Sequence, residues 1–264
     1  MRGYGRALRG EWTKARTLPS TWWSLLFAVA ATVALGAAIV GTLERSRCLA
    51  PCFEDTTRLS LSGARLGQVG VVVLAVLAVT AEYATRTIGP TVTAMPRRAR
   101  IVVGKLAVAG GLGLTAGVLA VAGSLLVARI VLPGKGFTAT NGYGAVSLGD
   151  DLLRRAAVGT VAYFGLVAIL SAGIGLLLRD TAGSVTAMLA VLYGAPIVAM
   201  VVSDPMWQHR LHRFAPMDVG LSIQTTREAA ATTHIGPWAG VGLLATYAAG
   251  TALAGLVVFL RRDA

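Results

Sequence analysis

Charge is scarce in this sequence, and acidic charge is scarcest. Charged residues fill 14% of the 264 positions, and Asp and Glu together number 12. A water-soluble domain carries about 25% charged residues. There are two cysteines and three histidines, and two cysteines alone make an incomplete zinc shell. No Gly-x-x-x-x-Gly-Lys-Ser/Thr stretch occurs. Gly104-Lys105 and Gly134-Lys135 lack the rest of that loop, so the chain does not bind ATP through it. His-Glu-x-x-His, Gly-x-Ser-x-Gly and Cys-x-x-Cys are missing too, and no catalytic constellation emerges. No apolar run carries an acidic residue or lysine near its centre, as a proton- or sodium-coupled carrier would require.

What is present is apolar length. Hydrophobic residues make up 55% of the chain. Uncharged runs cover residues 21–43, 66–81, 106–128, 156–178, 181–203 and 235–260. Five of them reach or pass about 20 residues, enough helix to cross about 30 Å of hydrocarbon. The expected fold is therefore all-α: a polytopic membrane bundle forming one domain over residues 1–264. Its spans fall at about 21–43, 64–81, 105–130, 156–178, 181–203 and 235–260, after an interfacial helix over 1–20. These spans and their loops leave no stretch for a soluble ATPase or sensor. The 32 glycines suit packed membrane helices.

The net charge of +12 reads as a topology signal rather than a nucleic-acid surface. With both termini cytoplasmic, the inner segments hold 13 Lys and Arg and the outer loops 11, while eight of the 12 acids lie outside. The inner basic residues are concentrated in shorter segments, as the positive-inside rule requires. The first apolar run is too long for the core of a cleaved signal peptide, so it is taken as the first span.

Between the spans lie the residues with chemistry. In residues 1–20, Tyr4, Leu8, Trp12 and Ala15 share one helical face, and Arg2, Arg6, Arg9 and Arg16 the other. That pattern fits a helix lying in the headgroup layer. Pro19 and Ser20 end it, and Trp22-Trp23 open the first span at the aromatic belt. Cys48 and Cys52 fall in an outward loop, where an oxidising compartment allows a disulfide; two free thiols are the alternative. Residues 82–105 return inside. There Glu82 and Arg86 are spaced to pair on one helical turn, and Pro90 and Pro96 limit any helix between them. This segment is either a topogenic basic loop or a short docking helix. Gly113 and Gly117 make a small-xxx-small step, a weak signal in this composition. Asp150 and Asp151 are expected to pair with Arg154 and Arg155. Arg179-Asp180-Thr181 makes a tight turn that leaves its two spans antiparallel. Pro196 should kink the fifth span or open a local gap. Trp207, Leu211 and Phe214 point to a short helix on the outer face, and His209, His212 and His234 are read as polar surface histidines rather than zinc ligands.

Four stretches together resemble the membrane permease subunits of type-2 ATP-binding-cassette (ABC) transporters, the small six-helix permeases of high-GC Gram-positive bacteria in particular. They are Glu11-Trp12-Thr13-Lys14-Ala15-Arg16-Thr17 running into Ser20-Thr21-Trp22-Trp23; Glu82-Tyr83-Ala84-Thr85-Arg86-Thr87-Ile88 with Pro96-Arg97-Arg98 and Lys105; Leu178-Arg179-Asp180-Thr181-Ala182-Gly183; and Gly236-Pro237-Trp238-Ala239-Gly240 with the terminal Arg261-Arg262-Asp263-Ala264. The resemblance implies a non-catalytic subunit in a bacterial plasma membrane. It would pair with a second permease chain, identical or not, and dock on a cytoplasmic ABC ATPase dimer. ATP and magnesium would sit on that ATPase, and this chain would hold no cofactor or metal itself. Leu8, Glu11, Trp12, Lys14 and Arg16 would form the elbow helix. Glu82, Tyr83, Arg86, Thr87, Ile88 and Pro90 would form the coupling segment. This chain has Ala84-Thr85-Arg86-Thr87 where such families have Arg-Thr-Gly-Thr. The expected activity is export of a hydrophobic or amphipathic substrate, such as a drug, peptide or lipid. A non-transport assembly or sensor subunit and a secondary carrier are the competing readings.

Overall fold

The computed structural model describes residues 2–43, 54–85, 98–138, 149–227 and 236–262, with isolated residues between 139 and 148. Cys48, Cys52, Arg86, Thr87, Ile88, Pro90 and His234 lie outside the described residues. Every regular element among those described is a helix. In chain order they are α1 (Arg2–Thr17), α2 (Pro19–Thr42), α3 (Thr56–Leu61), α4 (Ala64–Ala84), α5 (Arg98–Gly134), α6 (Asp151–Leu178), α7 (Thr181–Val201), α8 (Pro205–Phe214), α9 (Pro216–Leu221), a 3₁₀ turn (Ser222–Gln224) and α10 (Pro237–Arg262). Six helical stretches are long and apolar enough to cross a membrane. They correspond to α2, α3–α4, α5, α6, α7 and α10. The third expected span began near residue 105, but α5 starts at Arg98 and runs 37 residues, about 55 Å at 1.5 Å per residue. It therefore projects beyond a hydrocarbon core of about 30 Å.

The outside of the bundle is apolar. Trp23, Leu126, Ile130, Ile197, Met200 and Leu253 are among the large side chains turned outward, the reverse of a soluble bundle. α4 and α6 form its centre. Along α6 small and large residues alternate, and Tyr163, Phe164, Val167, Ala168 and Leu176 are all fully buried. Small residues bring backbones together. A Cβ added at Gly70 would lie 2.8 Å from the backbone nitrogen of Ala28, and Gly63 and Gly67 stand against Thr32 in the same way. The Gly113–Gly117 step also does structural work: a Cβ at Gly113 would lie 2.6 Å from the Cβ of Ala168.

Local sequence sets the corners. Proline restricts the residue before it to extended backbone, and Leu18 before Pro19 is extended, with φ −83° and ψ 121°. This separates α1 from α2, and the Trp22 indole N–H donates to the Arg16 carbonyl at 3.0 Å across the corner. Arg179 closes α6 in the left-handed region at φ 59°, a position glycine takes more readily. Asp180 caps α7 by accepting from the Gly183 N–H. α7 continues as one helix through Pro196. Asp150 caps α6, so only part of the expected charge pairing forms. Arg154 reaches Asp151 at 2.6 Å, whereas Arg155 donates to the Thr225 carbonyl at 2.5 Å.

The sequence leaves residues 203–234 as the longest outer loop, but the described part of it departs from a surface loop. α8 does carry exposed Met206, Trp207 and Phe214, but α9 and the 3₁₀ turn run into the bundle, with Met217, Val219, Leu221 and Ile223 buried. Polar atoms that enter with them are matched. The Gln224 amide donates to the Leu61 carbonyl at 3.2 Å and to the Thr160 hydroxyl at 3.1 Å. Buried Gln68 accepts from the Tyr163 hydroxyl and donates to the Arg65 carbonyl at 3.0 Å. Asp55, at the end of the bundle opposite α1, ties the segment to α3. Its carboxylate accepts from the N–H groups of Arg58, Thr226 and Arg227 at 3.0, 2.6 and 3.1 Å and from the Thr226 hydroxyl at 2.7 Å. Asp55→Ala orphans these donors and is expected to cost about 2–3 kcal/mol. Limited trypsin digestion should then cut at Arg227 much faster than in the wild type.

Candidate functional site

At the α1 end, four charged side chains from three helices meet. α1 lies against α4 and α5 through Ala15, whose small side chain packs with Leu74, Val108 and Leu112. Glu11 stands one turn before Ala15, and Lys105 one turn before Val108, so the same contact that seats Ala15 brings Glu11 over Lys105. Glu82 arrives on the last turn of α4. Lys105 Nζ lies 3.1 Å from Glu82 Oε1 and 3.2 Å from Glu11 Oε2, and 3.4 Å from the Ala78 carbonyl. An ammonium group has three protons, and here it has three acceptors. Lys14 completes a closed square by pairing with Glu11 at 3.2 Å and with Glu82. Two carboxylates and two ammonium groups leave the cluster neutral.

Burial makes this arrangement consequential. The Lys105 side chain is 1% exposed and those of Glu11 and Glu82 are 10% exposed, while Lys14 keeps 46% of its surface in contact with the surroundings. Charges this far from water cost several kcal/mol each unless paired. Burial opposes the charge on Lys14, but the hydrogen bond to Glu82 and the charges of Glu11 and Glu82 outweigh it and raise its pKa above the ordinary value. A raised lysine pKa means that its attraction is fully present at neutral pH and fades only as alkali titrates it. Among the described residues Glu82 Oε2 has no hydrogen-bond partner.

Neighbouring contacts gather the remaining helices around this end. The Thr80 and Thr181 hydroxyls are 2.8 Å apart, joining α4 to α7. The Arg179 guanidinium lies 5.5 Å from the centre of the Tyr83 ring and 3.5 Å from the Val258 carbonyl of α10. The turn between α6 and α7 is thereby connected to both α4 and α10.

The sequence expectations sort accordingly. Glu11, Lys14 and Glu82 converge at one place, whereas Tyr83 meets Arg179. Arg16 is exposed, as are Leu8 and Trp12. The apolar stripe of α1 is therefore divided: Ala15 faces the bundle and Leu8 and Trp12 face outward. Glu82 engages Lys14 and Lys105, while Arg86, its expected partner, lies outside the described residues. Lys105, expected to belong to a basic loop, is the most buried charge of the cluster. One sequence signal marks it: only Lys14, Lys105 and Lys135 are lysines in a chain whose other cations are arginines.

The arrangement offers no nucleophile beside a base. No group of three or more His, Cys, Asp or Glu that could hold a metal ion occurs among the described residues. His212 instead pairs with Asp218 at 2.8 Å. What the cluster can do is mechanical, since it fixes α1 to the end of α4 and the start of α5. No protein-family model matches the chain, and no curated protein matches it either.

Proposed function

We propose that this chain is the permease subunit of an ABC exporter, working in the plasma membrane of a bacterium with both termini in the cytoplasm. ATP and magnesium are handled by a separate cytoplasmic ATPase dimer, and a second permease chain completes the translocation path. The observation that carries the reading is the charged square of Glu11, Lys14, Glu82 and Lys105. It ties an amphipathic N-terminal helix to the two helices that flank residues 86–97, the segment whose sequence resembles a coupling helix. A push delivered to that segment enters α4 and α5, and the square carries it to α1, which sits beside the first span as an elbow.

The placement of charge favours this reading over a secondary carrier. The cluster lies at one end of the helices rather than midway along them, where a coupling-ion site is found. The lack of acidic or lysine charge near the centres of the spans fits a hydrophobic or amphipathic substrate. Co-expression with an ABC ATPase from the source genome tests the proposal. The two proteins are expected to co-purify and to hydrolyse ATP in lipid at a rate that depends on this chain. Arg86→Glu is expected to weaken the association. Failure to form a complex, or hydrolysis indifferent to the permease, would overturn the assignment.

A further inference from the structure

At the end of the bundle opposite α1, a cavity of about 300 Å³ opens between α2, α3 and the segment containing α9. This volume is at the small end for ligand sites. Its walls are unusual for the surface of an apolar bundle. Arg58 and Arg65 line it together with the carboxylates of Glu54 and Asp218, and Ile39, Leu59 and Leu221 supply an apolar flank.

Several wall groups already have partners, Arg58 among them. Asp55 also lines the cavity, but its carboxylate already accepts four hydrogen bonds. Ser222 gives its proton to the Val219 carbonyl, and the Gln224 amide is committed to Leu61 and Thr160. Asp218 uses one oxygen on His212. Glu54 and Arg65 are exposed. The Arg65 carbonyl serves Gln68 and Tyr193, so the packing role of this residue rests on its backbone. Two guanidinium groups can hold a phosphate through paired N–H donors, while carboxylates on the same wall can accept from an ammonium group. Among the described residues the lining contains no aromatic side chain. A primary ammonium, which donates hydrogen bonds, therefore suits the wall better than a quaternary one, which is held by aromatic faces.

We infer that this cavity binds a zwitterionic phosphoethanolamine group, with phosphate on Arg58 and Arg65 and ammonium toward Glu54 and Asp218. Ile39, Leu59 and Leu221 flank the glycerol end. The site stands independently of the transport reading, because it lies at the other end of the molecule from the charged square and uses none of its residues.

The full-length chain, purified in a detergent without phosphate groups, tests this by calorimetric titration with soluble glycerophosphoethanolamine and with short-chain phosphatidylethanolamine. Saturable binding of at least one is expected. Binding of the soluble ester as tight as that of the lipid identifies the free headgroup as sufficient; binding of the lipid alone identifies a lipid site. Arg65→Gln and Glu54→Gln should each weaken binding by roughly tenfold or more, the loss that follows from removing one charged hydrogen bond. Both variants should keep the wild-type melting temperature. The corresponding choline compounds should bind at least roughly tenfold more weakly. No saturable binding, equal binding of the choline and ethanolamine forms, or affinities unchanged in both variants would overturn the inference.

Discussion

Lys105→Met is expected to destabilise the protein by about 3–5 kcal/mol, the loss seen when one partner of a buried ion pair is removed. The reason is not the energy of a single salt bridge. Lys105 Nζ satisfies Glu11, Glu82 and the Ala78 carbonyl at once, and its removal leaves two carboxylates facing each other with only Lys14 between them. The apolar stem of lysine and the methionine side chain occupy similar space, so lost packing contributes little. A triple variant separates these effects. Glu11→Gln and Glu82→Gln added to Lys105→Met remove the uncompensated charge, and stability should return to within about 1–2 kcal/mol of the wild type. Unfolding of the purified chain in mixed micelles, followed by tryptophan fluorescence, reads both. A single variant as stable as the triple would show that the square carries little energy.

The second large effect is steric. Gly70→Val should cost about 3 kcal/mol, at the upper end for overpacking a tight core. A Cβ alone would come within 2.8–2.9 Å of three atoms of Ala28, two of them backbone. No rotamer relieves that contact, so α2 must move away from α4. Gly111→Val is the control. Nothing lies within 4 Å of a Cβ at Gly111, and that substitution should change stability by less than about 0.5 kcal/mol. Equal effects at the two positions would mean that α2 and α4 are not packed at glycine distance.

Much of the fold was legible because a bilayer imposes one simple rule. Each span must be a helix of about 20 apolar residues, and the runs around residues 21–43, 156–178 and 181–203 coincide with α2, α6 and α7 to within a few positions. The turn at Arg179 was equally readable, since a charged pair between two apolar runs leaves little room for anything else. The pairings were less legible. Gly113 and Gly117 drew attention as a motif, whereas Gly63, Gly67 and Gly70 pack as closely and drew none. Nothing local states which helix face meets which. The burial of residues 216–224 was missed for a related reason. Nine residues with a proline at their start read as loop, and only their fit against α6 and α10 takes them inside.

The candidate site was legible in its parts and not in its assembly. Glu11, Lys14 and Glu82 were singled out, each within its own segment. The partner that unites them, Lys105, stands 23 positions after Glu82 and 94 after Glu11. Local spacing arguments do not reach that far. The scarcity of lysine was the available clue, because a compact ammonium group suits a buried three-acceptor pocket better than a planar guanidinium.

The charged square as the link between an external ATPase and the elbow helix is tested most directly by hydrolysis measurements on the reconstituted complex. The triple variant Glu11→Gln, Glu82→Gln, Lys105→Met is the one to use, since it should fold and still assemble with the ATPase. In lipid nanodiscs the wild-type chain is expected, on the proposed function, to stimulate ATP hydrolysis, and the triple variant, at equal stoichiometry, to leave the rate near that of the ATPase alone. A triple variant that assembles normally and stimulates hydrolysis as fully as the wild type would contradict the account.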